Sequence, residues 1–188
     1  GPVKIGQYFI RTLNYQYHGK ITASQILEKS SNPGMVFIGK ILGKEKLYQY
    51  LRSFGFGETT EVDLAGEEKT GLRKVTDWQE IDLAAISFGQ GIAVSPIQML
   101  RAVAAIANQG RLMQPKVVEK IIDSSLRQVQ RQDKKVRQVI RPATAKTLTE
   151  MMVAAVDQGE AKWAKPKGFR IAGKTGTAQI PVAGHYDT

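Results

Sequence analysis

Between residues 3 and 13, Val3, Ile5, Tyr8 and Ile10 alternate loosely with Lys, Gln and Arg, the period of short strands or an extended arm. The period then lengthens. Thr22-Ala-Ser-Gln25 is a capping box, whose hydroxyl and amide side chains satisfy free N–H groups at a helix start, so a short helix is expected from about Ala23 towards Lys29. It should stop at Ser30-Ser-Asn-Pro33, because proline disfavours helix in the residue before it and suits the first position of a new one. The new helix carries Met35, Val36, Ile38, Ile41 and Leu42 up to Gly43, and another carries Leu47, Tyr50 and Leu51 up to about Gly55. Residues 55–75 are rich in Gly, Glu and Thr and predict a loop, with a brief strand where Val62 and Leu64 alternate.

Thr76-Asp-Trp-Gln79 predicts a second capping box, and Ser95-Pro-Ile-Gln98 a third with Pro96 at the first helical position. Between them Ser87-Phe-Gly-Gln-Gly91 forms a tight glycine turn. The helix after Ser95 carries Met99, Leu100, Val103, Ala104, Ile106 and Ala107, is apolar on most of its circumference, and is expected at the centre of the core. Residues 116–140 alternate twice around a polar middle and predict a β-hairpin. Pro142–Val156 predicts a further helix, with Leu148, Met151, Met152 and Ala155 on one side and Gly159 beyond it.

These elements run over 188 residues, enough to bury a core as one domain, 1–188, without an internal boundary. Hydrophobic residues at 42% and charged residues at 23% argue against disorder. The net charge of +10 points to an anionic neighbourhood. Its densest run, Arg127, Arg131, Lys134, Lys135 and Arg137, lacks interleaved aromatics and reads as the solvated face of the hairpin, not as a nucleic-acid patch. Without cysteine there is no disulfide framework or thiol chemistry. His18 and His185 stand far apart without partners at ligand spacing, so no metal site is expected. Trp78 and Trp163 read as packing or groove-wall residues, and the methionines as parts of core helices and their ends.

Candidate chemistry concentrates late, in Arg170-Ile-Ala-Gly-Lys174-Thr175-Gly176-Thr177-Ala-Gln179. Lysine supplies a charge, the threonines supply donors and acceptors, and Gly176 opens the backbone to a ligand. On an extended strand, Lys174 and Gly176 would share one face and Thr175 and Thr177 the other, a strand edge suited to a carboxylate-bearing ligand. Upstream, Ser30 and Asn32 sit at a helix break, where side chains can face a cleft.

Lys-Thr-Gly and Ser-x-Asn are two of the three signatures of penicillin-interacting serine enzymes. The chain resembles the transpeptidase domain of penicillin-binding proteins over nearly all its length. Val3-Lys-Ile-Gly6, Ile21-Thr22 through Ser30-Ser-Asn32, Phe54-Gly-Phe-Gly57 with Thr60 and Glu61-Val-Asp-Leu64, Ser87 to Gly91 with Ser95 to Gln98, and Ala172 to Gln179 occur in family order. The Ala178-Gln179 ending and the Phe-Gly-Phe-Gly segment are most similar to the class B, monofunctional enzymes of septal or elongation wall synthesis. The resemblance implies the α/β fold shared with serine β-lactamases, a helical lobe with an antiparallel sheet, of which this chain would supply only part. It also implies a peptidoglycan D,D-transpeptidase without cofactors, binding stem peptides and β-lactams on the extracytoplasmic face of a bacterial membrane, among wall-synthesis and division proteins. Ser30 would relay a proton, Asn32 would bond the substrate amide, and Lys174 would add positive potential. Thr175, Gly176 and Thr177, with Gln90 in the glycine turn, would bind substrate.

None of the serines, at 24, 30, 31, 53, 87, 95, 124 and 125, is followed by Lys at the third position, so the Ser-x-x-Lys nucleophile motif is absent. By the resemblance that motif precedes the Val3 segment, and further strands follow the Lys174 strand, so an internal piece is expected that needs its missing segments to behave well. The alternatives are a non-catalytic sensor or scaffold of the same build, and a β-lactamase or D,D-carboxypeptidase. Alone, this chain should not acylate: intact-mass measurement after penicillin treatment should find it unmodified, and an adduct on any of these serines would overturn that expectation.

Overall fold

The computed structural model describes residues 1–12, 15–178, 180–182 and 185–187, with side chains described through 178. The chain divides into two compact units: residues 1–47, 73–92 and 148–188, and residues 48–72 and 93–147.

The first unit opens with the expected alternation. Strands β1 (Val3–Ile5) and β2 (Tyr8–Ile10) form an antiparallel hairpin turned at Gly6, whose φ of +57° suits glycine. Alternation places Ile5 and Ile10 inward, where with Val36 and Ala84 they make the buried apolar cluster. Val36 belongs to α2 (Asn32–Leu42) and Ala84 to α4 (Glu80–Ser87). These helices cross where Gly39 meets Ser87, whose hydroxyl donates to Leu83 O at 2.6 Å and fills the space a Cβ on Gly39 would need. The preceding helix, α1 (Ala23–Glu28), has the expected Thr22–Gln25 capping box and packs Ile26 against Gly34 of α2. The next helix, α3 (Lys44–Ser53), follows Gly43.

The Thr76 box does not form. Val75–Asp77 is a single 3-10 turn, and Thr76 Oγ1 bonds its neighbour Asp77. The helix starts three residues later, at Gln79, whose N–H donates to the Asp82 carboxylate at 2.9 Å. Asp82, held below its usual pKa by the Gln79 N–H and Arg73 against the opposing effect of burial, is the stronger acceptor for a helix start. Trp78 is buried and donates Nε1 to Arg73 O, as a packing residue should, whereas Trp163 is exposed.

In the second unit the largest departure concerns α5 (Pro96–Ala107). Its Ser95–Gln98 capping box forms, but the buried stripe is Gln98, Arg101, Ala102 and Ala105, while Met99, Leu100 and Val103 are exposed. The reason lies in residues 55–72, which form no strand, at Val62 and Leu64 or elsewhere. Without a ladder, their backbone groups need side-chain partners. Gln98 Nε2 donates to Glu58 O at 2.6 Å, Arg101 to Thr60 O, and Gln114 to Glu61 O, while Glu67 accepts from Thr60 N and Glu61 N. Two long polar side chains therefore occupy the face that apolarity alone assigns to the core.

The 116–140 hairpin is shorter than expected. Only β4 (Lys120–Ile122) and β5 (Gln128–Gln130) pair in it, and β6 (Lys135–Gln138) returns to β3 (Arg111–Met113). Alternation cannot choose a partner, but Gly110 can. With φ of +80° and the Ile140 carbonyl where a Cβ would stand, it accepts from Val139 N at 2.8 Å and brings the two segments together. Arg137 then leaves the solvated face and binds Ser53 O, Arg52 O and the Glu58 carboxylate.

The last helix is α6 (Pro142–Gln158). The Lys174 stretch is irregular rather than a strand, since none of residues 171–178 joins a ladder among the described residues; Gly173 N reaches Met152 O at 3.3 Å. A final hairpin pairs β7 (Ile180–Val182) with β8 (His185–Asp187). Gln179 and the His185 side chain lie outside the described residues.

Glu58 links Arg137 to Arg101, whose side chain is 4% exposed. Burial opposes the charge on Glu58, but the hydrogen bonds and charges of Arg137 and then Arg101 hold its pKa below the usual 4.5. A depressed carboxylate stabilises the fold fully above its unfolded pKa and loses that contribution as pH falls through the folded value. Glu58→Gln should therefore cost about 2–3 kcal/mol at neutral pH, by leaving Arg101 short of its counter-charge. The difference from wild type should shrink in denaturant melts run progressively below pH 4.5.

Candidate active site

The site starts from the way α1 ends. Ser31 N donates to Ile26 O at 3.0 Å and Ser30 N to Leu27 O at 3.2 Å, the paired bonds of a Schellman cap. The position that such a cap requires in the left-handed region is usually glycine; here it is Ser30, at φ +47°. A side chain there costs about 1 kcal/mol relative to glycine. The same turn starts α2: Ser31 Oγ accepts from Gly34 N at 3.2 Å, and Asn32 is the first helical residue, with Pro33 one place later than expected. Asn32 donates Nδ2 to Arg11 O at 3.0 Å, anchoring the break to the chain after β2.

Across 144 positions, the ammonium of Lys174 donates to Ser30 Oγ at 2.8 Å, to Thr175 Oγ1 at 2.8 Å and to Thr175 O at 3.1 Å. Three donors meet three acceptors. Because Ser30 Oγ accepts from Lys174, its own O–H cannot point at the ammonium. Strict alternation would have put Lys174 and Thr175 on opposite faces. In an irregular segment the long lysine side chain instead curls back over its neighbour.

Lys174 is exposed as a residue, yet desolvation around its ammonium lowers the pKa below the usual 10.5, against the Coulombic pull of Glu160. Gly176, Thr177 and Ala178 are exposed, and a Cβ on Gly176 would meet no atom within 4 Å among the described residues. Gln90 is half-buried in the same unit, its N–H on Ala85 O at 3.0 Å beside Gly89 and Gly91, both at positive φ. No hydrogen bond among the described residues joins it to Ser30 or Lys174. Among the described residues no group of His, Cys, Asp or Glu is placed to hold a metal.

Sequence reasoning missed two contributors. Glu160 follows a glycine that looks like an ordinary helix stop, and the Arg11 carbonyl has no side-chain signature at all. The left-handed Ser30 had a faint signal, since a helix ending on Ser-Ser leaves its C-terminal cap without glycine.

A family model described as the penicillin binding protein transpeptidase domain matches residues 2–187. The chain belongs to that family. It is 37% identical over 171 residues to Stage V sporulation protein D of Bacillus subtilis, covering 90% of this chain and 26% of that protein. It is 33% identical over 176 residues to penicillin-binding protein PbpB of Mycolicibacterium smegmatis, covering 88% and 27%. Among solved structures, penicillin-binding protein 3 of Mycobacterium tuberculosis, complexed with aztreonam, superposes with a TM-score of 0.90 at 29% identity, over 100% of this chain and 44% of that one. The chain thus has the penicillin-binding-protein transpeptidase fold and resembles the class B branch, and it spans about a quarter of the length of these curated relatives.

Ser30→Gly should relieve the left-handed strain and melt higher than Ser30→Ala, which keeps it, by a difference of about 1 kcal/mol. Both remove the acceptor of Lys174, so a thermal melt of the two variants separates the backbone cost of Ser30 from the hydroxyl's role. Equal stabilities would contradict the strained cap.

Proposed function

We propose that this segment is the substrate-binding part of a serine D,D-transpeptidase that cross-links peptidoglycan stem peptides on the extracytoplasmic face of a bacterial membrane. The observation that carries the reading is the Lys174 to Ser30 hydrogen bond, which brings the Lys-Thr-Gly and Ser-x-Asn motifs into one cluster. No described helix is long and apolar enough to cross a membrane.

In this reading a serine outside these 188 residues attacks the penultimate carbonyl of a D-Ala-D-Ala stem, expels D-Ala and leaves an acyl-enzyme that an amine of a neighbouring strand resolves. Ser30 carries a proton to the departing or from the attacking amine, since its oxygen accepts from Lys174 while its hydrogen is free to transfer. Lys174 stabilises negative charge beside it. The hydroxyls of Thr175 and Thr177 hold the terminal carboxylate, Gly176 keeps the backbone open for the ligand, and the Thr177 N–H contributes to the oxyanion hole, a donor worth about 3 kcal/mol in the transition state. Asn32, with Nδ2 engaged on Arg11 O, offers Oδ1 to the substrate amide. Gln90 borders the bound peptide.

The test is benzylpenicillin treatment of the full native protein, followed by peptide mass mapping. A stable adduct on a serine outside this segment is expected, with acylation slowed about 100-fold by Lys174→Ala. An adduct released within minutes would favour a β-lactamase or carboxypeptidase. A folded protein without adduct would favour the non-catalytic sensor or scaffold.

A further inference from the structure

The Ser30–Lys174 pair joins two segments that nothing local holds together. The Lys174 stretch has no ladder among the described residues, and Ser30 sits at the end of a helix only six residues long. The element between them is the turn after α6. A methyl group on Gly159 would overlap the carbonyl oxygens of both Glu28 and Ala155, so the end of α6 presses backbone to backbone on the last residue of α1, two positions before Ser30. The same helix holds the other partner. Gly173 N bonds Met152 O at 3.3 Å, and Gly173 lies against Val156, where a Cβ would stand 3.4 Å from the side chain.

We propose that the Gly159–Glu160 turn is the positioning element of the active site, with Gly159 setting the distance between Ser30 and Lys174 and carrying Glu160 beside the pair. Desolvation lowers the lysine pKa, and the Glu160 charge acts in the opposite direction. The other charged groups on the packed elements are committed or turned to solvent. Glu28 accepts from Ser24 and Lys29 is exposed at the end of α1, while on α6 Glu150 pairs with Arg170 and Asp157 with Lys165. The assignment of catalytic work to Lys174 rests on the transpeptidase reading; the positioning role does not.

The experiment uses the full native protein with lysines labelled at 13Cε, the Lys174 signal assigned by its loss in Lys174→Arg, and titrates that signal alongside benzylpenicillin acylation. Gly159→Ala should part the pair, return Lys174 towards solvent and raise its midpoint by about half a pH unit. It should also slow acylation about tenfold, as misplacement of a reacting group does. Glu160→Gln, at an exposed position where folding is not at stake, should lower the midpoint by a similar amount, about half a pH unit, and draw the alkaline limb of acylation to lower pH. Val153→Ala, a cavity in the buried face of α6, should lower the melting temperature without moving the midpoint. If Glu160→Gln leaves the midpoint unchanged, or a folded Gly159→Ala leaves it unchanged, the positioning role is overturned. Shifted midpoints in a protein that takes no penicillin would instead overturn the transpeptidase reading and leave the turn's role intact.

Discussion

A single ammonium holds the candidate site together. Lys174 spends all three of its protons on Ser30 and Thr175, and that commitment is the link between a strained helix cap and a late segment without a ladder of its own. The geometry has two costs, a left-handed serine and a partly desolvated lysine. Neither is a cost that a fold selected for stability alone would keep, since glycine at Ser30 would remove the first and a solvent-turned lysine the second. Two such costs falling on hydrogen-bonded partners, Ser30 and Lys174, are what a functional site looks like.

The motif residues of this chain divide into two kinds. Ser30, Asn32 and Lys174 to Thr177 present polar groups at a site. Phe54-Gly-Phe-Gly57, Thr60 and Ser95 to Gln98 instead build the second unit. The Arg101 guanidinium occupies the space where a side chain on Gly55 would be, Phe56 is buried, Thr60 O accepts from Arg101, and Gln98 both caps its helix and ties down the loop carbonyl of Glu58. Ser87 has a structural part in the first unit, as the small residue that lets α4 cross α2 at Gly39. A motif residue can therefore be a constraint on backbone approach instead of a participant in chemistry.

Charge plays two similarly separate roles. The net +10 belongs mostly to exposed side chains, many of them paired with nearby carboxylates, such as Lys116 with Asp133 and Arg127 with Asp123. Asp63 shows what a carboxylate does when it is needed structurally: it accepts from Val117 N and Val118 N, which with Arg131 hold its pKa low, and so ties the loop to the start of the hairpin region. Arg101 and Arg137 are drawn inward by Glu58 because a loop without a ladder exposes carbonyls that only long donors can reach.

Local chemistry was enough to fix much of this from the chain alone. The Thr22 and Ser95 caps, the short strands near the start of the chain, and the helix limits at Gly43 and Gly159 rest on interactions within a few residues. What sequence could not decide was every choice that depends on a distant partner. Those choices were which face of α5 is buried, whether β6 pairs with β5 or β3, and whether the Lys174 stretch joins a ladder. They also include where the helix before Ser87 begins and which backbone contact holds Ser30 against Lys174. Periodicity records that a face or a strand seeks a neighbour, and only the tertiary structure supplies the neighbour, because the competing partners differ in shape and unsatisfied hydrogen bonds that no local pattern encodes.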